Sequence, residues 1–355
     1  MLQRLSRTRL KVQQNGEDVN APAQILKDTH ASPAERLWAL AAEDMAAVDA
    51  LILDRMQSPV GLIPNLAQHL VGAGGKRLRP LLTVATSLMC GYTGESHHKL
   101  AASVEFIHSA TLLHDDVVDE SELRRGQKPA NLIWGNSASI LVGDFLFARA
   151  FNLMVETGSM EALGILSNAS SVIAEGEVQQ LAALRDVKMG EEAYMQVISA
   201  KTAALFAAAT EVSPVIAGRP VEERTALRDY GLKLGLAFQL VDDALDYGGF
   251  ESALGKSVGD DFREGKMTLP VIRAVEAANK NEAEFWHRVI VERKQTEVDF
   301  ETAISLLRKT GALDSTMDLA KQYAREAREA LSIFEDSPWR ETLEELADYV
   351  VERIN

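Results

Sequence analysis

One acidic pattern occurs twice, as DDVVD at residues 115–119 and as DDALD at residues 242–246, and each copy directly follows an apolar stretch with helical spacing. On an α-helix the first and last aspartates of this pattern lie four residues and roughly 6 Å apart on one face, where their charges repel. A cation between them relieves this repulsion. Carboxylate ligands without cysteine favour Mg²⁺, which proteins usually hold with carboxylates and substrate phosphates. The repeated pattern therefore predicts helices that ligate a metal-bound polyphosphate.

The helices that carry the two patterns are predicted to be buried. Residues 107–113 and 232–241 are apolar on almost every side, whereas a surface helix places its apolar residues opposite its charges. By helical spacing His108 lies on the face of the first pattern, and Gln239 lies on the face of the second. Because buried carboxylates need partners or metals, a purely solvated helix face is the weaker interpretation of both patterns.

Basic residues lie near predicted turns. A glycine-rich run at residues 72–75 leads into several of them and into Pro80, which can open a helix. Backbone amides at a helix start form an anion site when Lys and Arg lie beside them. Basic residues beside glycine are also ordinary loop chemistry, but together these predict binding of two anionic groups. The positions are Lys76, Arg79, Arg124, Arg125, Lys201, Lys256 and Lys266.

These segments resemble the trans-type polyprenyl diphosphate synthases, in particular the long-chain branch that makes octaprenyl, solanesyl or decaprenyl diphosphate. The resemblance runs from about residue 37 to residue 353. It rests on GGKRLRP at 74–80, LLHDDVVDESELRRG at 112–126, KT at 201–202, FQLVDDALDY at 238–247, GKSVGDDFREGKMTLP at 255–270 and LADYVVER at 346–353. It implies an all-α fold, an isoprenoid synthase-type bundle of many helices around a central apolar cavity. It also implies a prenyltransferase that adds isopentenyl diphosphate, head to tail, to an allylic diphosphate such as farnesyl or geranylgeranyl diphosphate.

The resemblance assigns roles to the acidic residues. About three Mg²⁺ ions per active site are expected with bound allylic diphosphate. Their ligands would be Asp115, Asp119 and Asp242. The remaining aspartates of the two patterns would act through water or by orienting their neighbours, and these are Asp116, Asp243 and Asp246.

The resemblance also divides the other polar residues between two substrates. Those expected at the allylic diphosphate, or close to it, are Arg124, Lys201, Thr202, Gln239, Lys256 and Lys266. Those expected at the diphosphate of isopentenyl diphosphate are Lys76, Arg79, His108 and Arg125. Metal ions and basic donors stabilise the charge on a departing diphosphate, so that the C–O bond breaks to an allylic cation. The alkene of isopentenyl diphosphate attacks that cation, and transfer of a proton to the released diphosphate completes the expected step.

Product length depends, in this family, on residues four and five positions before the first pattern. Short-chain members tend to carry a bulky aromatic side chain there, whereas this chain has Thr111 and Ala110. The first pattern also lacks the two-residue insertion of the bacterial short-chain class. We therefore expect a long product that supplies a quinone (ubiquinone-type) side chain, with Ile107, Phe106 and Ser103 as deeper tunnel walls or ordinary core residues. A shorter-chain geranylgeranyl or farnesyl diphosphate synthase is the main alternative.

Helix-start signals bound the predicted domain. Residues 32–35, SPAE, form a capping box with Pro at the first helical position, and Ser337-Pro338 repeats the start. We predict one catalytic domain over residues 33–355 and a flexible N-terminal extension over residues 1–32. The basic residues of the extension also fit an organelle targeting segment, but a disordered bacterial extension and a cytoplasmic location are favoured.

Composition excludes other classes. A net charge of −15 and the lack of a basic, aromatic face argue against nucleic-acid binding. The single Cys90 rules out an intramolecular disulfide and is expected to be buried. No uninterrupted apolar run approaches the roughly 18 residues of a transmembrane helix. We therefore expect no transmembrane segment, with peripheral membrane contact for release of the apolar product. The family resemblance implies a homodimer.

Three further alternatives are open to test. A class I terpene cyclase needs Ser or Thr, then Glu, where this chain has Asp246 and Phe250. A di-iron helical bundle uses Glu-x-x-His, but this assignment leaves both acidic patterns without a role. Its three matches here are Glu105/His108, Glu95/His98 and Glu284/His287. A non-catalytic partner subunit of a heteromeric synthase would have eroded aspartates, whereas all six are intact here.

Overall fold

The computed structural model describes residues 31–72, 77–119, 127–184, 186–248 and 259–352. Within these ranges the regular elements are helices and no strand occurs, so the predicted all-α fold is confirmed. The expectation of a flexible extension falls almost entirely outside the described residues. So do four of the predicted site residues, Lys76, Arg124, Arg125 and Lys256.

The described residues divide into two compact units. The first takes in residues 31–160 and 336–343, and the second takes in residues 161–335 and 344–352. The first acidic pattern belongs to the first unit, and the second pattern belongs to the second unit. A single catalytic domain over residues 33–355 stays a prediction.

Seven helices form most of the first unit. They are α1 (Pro33–Leu40), α2 (Ala42–Arg55), α3 (Leu62–Gly72), α4 (Leu78–Met89), α5 (Ser96–Val118), α6 (Ala130–Trp134) and α7 (Asn136–Glu156). Helix α1 begins with the predicted capping box: the Glu35 amide donates to Ser32 Oγ over 3.3 Å, and the Ser32 amide donates to the Glu35 carboxylate over 2.8 Å. Cys90, just after α4, is buried as expected.

Helices α5 and α7 pack side by side in the core of the first unit. Small hydroxyl residues allow the close approach. Ser103 Oγ donates to the Ala150 carbonyl over 3.2 Å, and Ser139 Oγ donates to the Leu113 carbonyl over 2.9 Å. This contact fixes α5, the helix that ends in the first acidic pattern.

Helix α7 has the length and composition of a membrane span, with a mean hydropathy of 1.5 over its most apolar 18-residue window. Two charged residues, Asp144 and Arg149, interrupt it, which is why the sequence shows no continuous apolar run. One side of the helix is buried in the first unit through residues such as Leu146, Ala150 and Leu153. Packing in a protein core accounts for the apolar residues on that side of the helix.

The second unit contains α8 (Met160–Ala183) from its second residue onward. It also contains α9 (Glu191–Ile198), α10 (Ala204–Ile216), α11 (Val221–Tyr247), α12 (Asp260–Glu264), α13 (Leu269–Glu276), α14 (Lys280–Trp286), α15 (Asp299–Lys309) and α16 (Ala312–Ala330). Two π-helical turns, Ser199–Ala203 and His287–Val291, continue α9 and α14, and a 3₁₀ turn, Leu331–Ile333, follows α16. The last helix, α17 (Pro338–Glu352), begins after Ser337 as predicted, and the Arg340 amide donates to Ser337 Oγ over 3.2 Å.

Helix α11 is the longest in the described chain and packs on α10 and α16. Its Gly231 lies directly against α10: a Cβ there would stand 2.4 Å from the carbonyl oxygen of Phe206. Such an overlap with backbone cannot be relieved by a side-chain rotation, so this crossing needs glycine. The crossing positions the buried helix that carries the second acidic pattern.

Candidate active site

The first acidic pattern lies at the C-terminal end of α5. Asp119 is the C-cap residue, and its amide donates to the Asp115 carbonyl over 2.8 Å. Asp115 and Asp119 are half-buried, whereas Asp116 is buried. The negative end of the helix dipole also interacts unfavourably with each outer carboxylate, because anions are disfavoured at this end. The pair therefore has a stronger need for a cation than its spacing alone indicates.

Asp116 lies where α5 is anchored to α6. The buried side chain of Asn131 donates from Nδ2 to the Asp116 carbonyl oxygen over 3.0 Å. This bond satisfies one of the carbonyl groups that a helix end leaves without an intrahelical donor. It fixes the turn on which Asp115 and Asp119 sit.

Arg79 and His108 form a basic pair on the neighbouring helices α4 and α5, with Arg79 Nη1 lying 3.3 Å from His108 Nε2. Arg77 behaves differently. It is buried with a left-handed backbone (φ 46°), and its guanidinium pairs with Asp49 at 2.9 Å and with Glu105 at 2.8 Å. Arg77 therefore holds the start of α4 in place.

The second acidic pattern is supported by a chain of hydrogen bonds centred on the buried carboxylate of Asp243. Gln239 Nε2 donates to Asp243 Oδ1 over 2.7 Å, and Gln239 Oε1 accepts from Thr202 Oγ1 over 2.8 Å. The Tyr194 hydroxyl donates to the other carboxylate oxygen of Asp243. Burial, together with the nearby carboxylate of Asp261, raises the pKa of Asp243 well above its usual value. The chain thus ties α9, its π-helical extension and α11 together at the acidic pattern.

Asp246 and Asp242 have different surroundings. The Asp246 carboxylate accepts hydrogen bonds from three backbone amides at the start of α12. The donors are Gly259, Asp260 and Asp261, over 3.1, 3.2 and 3.0 Å. Its carboxylate therefore stabilises the N-terminus of that short helix. Asp242 is half-buried one turn earlier on α11. Of these two, Asp246 has a structural role that the sequence does not reveal.

Lys201 and Thr202 lie in the π-helical turn Ser199–Ala203. Such turns occur frequently at functional sites because one extra residue displaces the side chains around it. Lys201 Nζ donates to Glu177 Oε2 of α8 over 2.7 Å. Lys266, after α12, pairs with Glu264. Both lysines are held by carboxylates within the second unit.

The predicted chain-length residues lie in the middle of α5. Ala110 and Ile107 are fully buried, and the half-buried Thr111 donates from Oγ1 to the His108 carbonyl over 2.8 Å. Ala110 is seven residues after Ser103 and therefore lies on the face of α5 that contacts α7. An enlarged side chain at Ala110 would meet packed atoms.

The three Glu-x-x-His matches do not form a di-iron centre in the described chain. His108 lies beside Arg79, and Glu105 pairs with Arg77. His287 is exposed and lies 3.5 Å from Glu292. His98 contacts Asp44. The three matches therefore occur by chance, as expected for spacing read without tertiary structure.

Comparison with known proteins identifies the family. The model of the family described as polyprenyl synthetase matches residues 60–307. Octaprenyl diphosphate synthase of Escherichia coli is 46% identical over 319 residues, which cover 90% of this chain and 98% of that protein.

Two solved structures of polyprenyl synthases are similar to this chain. A polyprenyl synthase from Caulobacter crescentus, complexed with calcium and isoprenyl diphosphate, has a TM-score of 0.88 and 60% identity, covering 91% of this chain and 98% of that one. A decaprenyl diphosphate synthase from Rhodobacter capsulatus has a TM-score of 0.88 and 55% identity, covering 91% of this chain and 100% of that one.

The all-α architecture is that of an isoprenoid synthase. The chain belongs to the polyprenyl synthetase family. Its relatives confirm the predicted enzyme class, a prenyltransferase of the long-chain trans-polyprenyl diphosphate synthase type.

Proposed function

We propose that this protein condenses isopentenyl diphosphate repeatedly onto an allylic diphosphate, such as farnesyl or geranylgeranyl diphosphate, in a reaction that requires Mg²⁺. The observation that carries the proposal is the pair of half-buried carboxylates, Asp115 and Asp119, at the negative end of α5. The relatives named above make octaprenyl and decaprenyl diphosphates. The product is a long chain that becomes the side chain of a quinone.

The donor set fits Mg²⁺. Asp115, Asp119 and Asp242 offer hard oxygen atoms and are half-buried, so each can bind an ion that keeps some of its water. We assign these three residues as ligands of about three ions. When bound, Mg²⁺ neutralises the charge that develops on the departing diphosphate. The calcium bound in the relative from Caulobacter crescentus supports a divalent ion in this role.

The buried aspartates position the ligands. Asp243 is held by Tyr194 and Gln239, so it keeps the turn of α11 that carries Asp242 in one orientation. Asp246 fixes the start of α12, and Asp116 belongs to the turn that Asn131 anchors. These contacts hold the ligands before substrate arrives, and such preorganisation lowers the reorganisation cost in the transition state.

The basic residues divide into two groups. We assign Arg79 and His108, with Lys76 and Arg125, to the diphosphate of isopentenyl diphosphate, which must stay intact. We assign Lys201, Thr202, Gln239 and Lys266, with Arg124 and Lys256, to the allylic diphosphate, which leaves. Lys201 pairs with Glu177 and Lys266 pairs with Glu264, so each ammonium is held in place by a carboxylate of the second unit.

Ala110 sets the product length in this proposal. Its side chain is a single buried methyl group, and Ile107 follows one turn further from the acidic pattern. Thr111 is half-buried beside them and contributes to the same wall. A growing prenyl chain passes this turn instead of being stopped by an aromatic ring.

The exposed side of α7 supports a homodimer. Leu141, Phe151 and Val155 recur at helical spacing on this side with exposures of 66%, 37% and 63%. Exposed apolar stripes of this kind mark protein interfaces, and a two-fold dimer buries the same stripe on both subunits. We propose a cytoplasmic homodimer that releases its apolar product through peripheral contact with a membrane.

The proposal is tested by incubating the purified protein with Mg²⁺, isopentenyl diphosphate and farnesyl diphosphate, followed by mass analysis of the dephosphorylated products. We expect all-trans prenols several isoprene units longer than the primer. Omission of isopentenyl diphosphate should leave the primer unchanged. Cyclic hydrocarbons formed from the primer alone would instead support a terpene cyclase. A product that stops at the geranylgeranyl length would support the shorter-chain alternative.

A further inference from the structure

A second group of potential metal ligands lies in the first unit, at the N-terminal end of α5. Asp44 belongs to α2, and His97 and His98 belong to the first turn of α5. The Nε2 atom of each imidazole lies 2.8 Å from Asp44 Oδ1. The three ligand atoms all lie within 4.8 Å of one another. The acidic pattern of α5 is at the opposite end of this helix of 23 residues. None of the three residues has a role in the function proposed above.

The two imidazoles are adjacent in sequence, yet both are aimed at the same point. Their ring centroids are 4.0 Å apart, and the ring of Tyr92 packs edge-on against His97 at 5.5 Å. The turn before α5 allows this contact. A Cβ at Gly94 would stand 2.4 Å from the Tyr92 hydroxyl, so a larger residue there would displace the tyrosine from this position. Packing thus fixes the orientation of one imidazole, as the surroundings of a metal ligand commonly do.

Exposure differs among the three side chains of the group. The side chain of His97 is almost fully buried, whereas those of His98 and Asp44 keep 20% and 26% of their surface accessible. The group therefore has a fixed inner ligand and an open outer side. An ion can enter from solvent, and a water molecule can complete its coordination.

The two nitrogen–oxygen separations of the group are about half an ångström shorter than those between ligands of a tetrahedral zinc site. Zinc lies about 2.0–2.2 Å from nitrogen and oxygen ligands, which places neighbouring ligand atoms about 3.3 Å apart. The observed separation between each imidazole nitrogen and the carboxylate oxygen is 2.8 Å. A shift of about half an ångström by the half-exposed Asp44 carboxylate accommodates the ion.

We propose that Asp44, His97 and His98 bind one Zn²⁺ ion, with water as the fourth ligand. Two imidazoles and one carboxylate form a three-ligand zinc set, and imidazole favours zinc over Mg²⁺. The acidic patterns contain only oxygen donors, so the two kinds of site prefer different ions. The zinc joins α2 to the start of α5 and stabilises the helix whose far end carries the metal-binding aspartates.

The test is a zinc titration of untagged, metal-stripped full-length protein in a large excess of Mg²⁺, with a chromophoric chelator as competitor. The Mg²⁺ occupies the oxygen-donor sites. We expect one Zn²⁺ per chain that Mg²⁺ does not displace, and an unfolding temperature that rises with zinc concentration. His98→Gln and Asp44→Asn should each weaken binding at least about 10-fold, because each removes one ligand. His287→Gln, which changes an exposed histidine outside the group, should bind zinc as the wild type does.

A spectroscopic measurement on the wild type keeps the proposal testable even where a variant folds poorly. Co²⁺ bound in place of zinc should give the intense visible absorption of a tetrahedral site with nitrogen ligands, and added Zn²⁺ should abolish it. Absence of zinc binding in excess Mg²⁺, a purely octahedral Co²⁺ spectrum, or equal zinc affinity in the wild type and both ligand variants would each overturn the proposal. In those cases the three side chains form only a hydrogen-bonded cluster between α2 and α5.

Discussion

The Tyr194 hydroxyl donates a hydrogen bond to the buried carboxylate of Asp243. Tyr194 belongs to α9, and Asp243 belongs to the second acidic pattern on α11. Gln239 occupies the other carboxylate oxygen over 2.7 Å, so Asp243 is held on both sides. Asp242, the proposed metal ligand, is its immediate neighbour in the chain. Under the proposed function, Tyr194 is thus a positioning residue that acts on Asp242 through Asp243.

Tyr194→Phe should lower kcat about 10-fold while the Mg²⁺ requirement remains. The substitution leaves one oxygen of a buried carboxylate without its donor, which costs roughly 1–3 kcal/mol. We expect part of that cost to weaken the positioning of the Asp242 carboxylate. Steady-state kinetics with circular dichroism measures both activity and fold. Tyr323→Phe, which removes a hydroxyl from a tyrosine packed on Lys233, is the matched control. Equal kcat values in wild type and Tyr194→Phe would contradict the positioning role.

Arg79→Ala should raise KM mainly for isopentenyl diphosphate, whereas Lys201→Ala should lower kcat and impair use of the allylic substrate. Each substitution removes one cationic side chain from one of the two groups of basic residues proposed to bind a diphosphate. Initial rates over a grid of both substrate concentrations separate the effects. Arg219→Ala, at an exposed ion pair with Glu223, controls for loss of positive charge. Identical effects of both variants on both substrates would exclude the division of labour.

Ala110→Phe should shorten the main product while leaving the first condensation near its wild-type rate. The buried face of α5 has no space for a ring beside a prenyl chain, and overpacking there is relieved only by moving a neighbouring helix. Mass analysis of the prenols measures product length. The unfolding temperature serves as control, because the same face contacts α7. A well-folded variant with the wild-type product would show that Ala110 does not line the tunnel.

Asp299→Asn should lower stability by roughly 1 kcal/mol near neutral pH, after allowance for solvent screening at the half-exposed Arg288. The Arg288 guanidinium binds both oxygens of Asp299, at 2.9 and 2.7 Å, and holds the pKa of this carboxyl well below its usual value. A depressed folded pKa gives stability that is fully present above the unfolded pKa, about 4, and is lost as the pH falls through the folded pKa.

Urea unfolding between pH 7 and pH 3 measures the difference in the free energy of unfolding between wild type and Asp299→Asn. This difference should shrink below about pH 4. Asp336→Asn removes a carboxylate with 99% exposure beside Arg340 and should change stability by less than about 0.5 kcal/mol. A difference between wild type and Asp299→Asn that does not depend on pH would contradict the assigned ion pair.

Local sequence signals predicted much of the fold. The capping box at Ser32, the start of α17 after Ser337 and the buried helices before both acidic patterns all depend on residues within one or two turns. Such signals act before tertiary packing and survive it. The two acidic patterns are likewise recognised from the spacing of their aspartates alone.

Contacts between distant segments could not be predicted. Tyr194 precedes Asp243 by 49 residues, and Glu177 precedes Lys201 by 24. Neither Tyr194 nor Glu177 belongs to a pattern that spacing can detect. The π-helical turn at Lys201 is likewise not signalled by the sequence around it. The hydrogen-bonded neighbours of the acidic patterns emerge from packing, whereas the patterns themselves are read from the sequence.

The central claim is that carboxylates of both acidic patterns hold the Mg²⁺ ions required for condensation. The most direct test is incorporation of labelled isopentenyl diphosphate by the wild type, Asp115→Ala and Asp242→Ala in saturating Mg²⁺, with Asp314→Ala at the exposed start of α16 as control. We expect wild-type and control protein to make long prenols, activity that disappears in excess EDTA, and both ligand variants to be folded but inactive. Near-normal incorporation by either ligand variant, or by wild type in excess EDTA, would contradict the account.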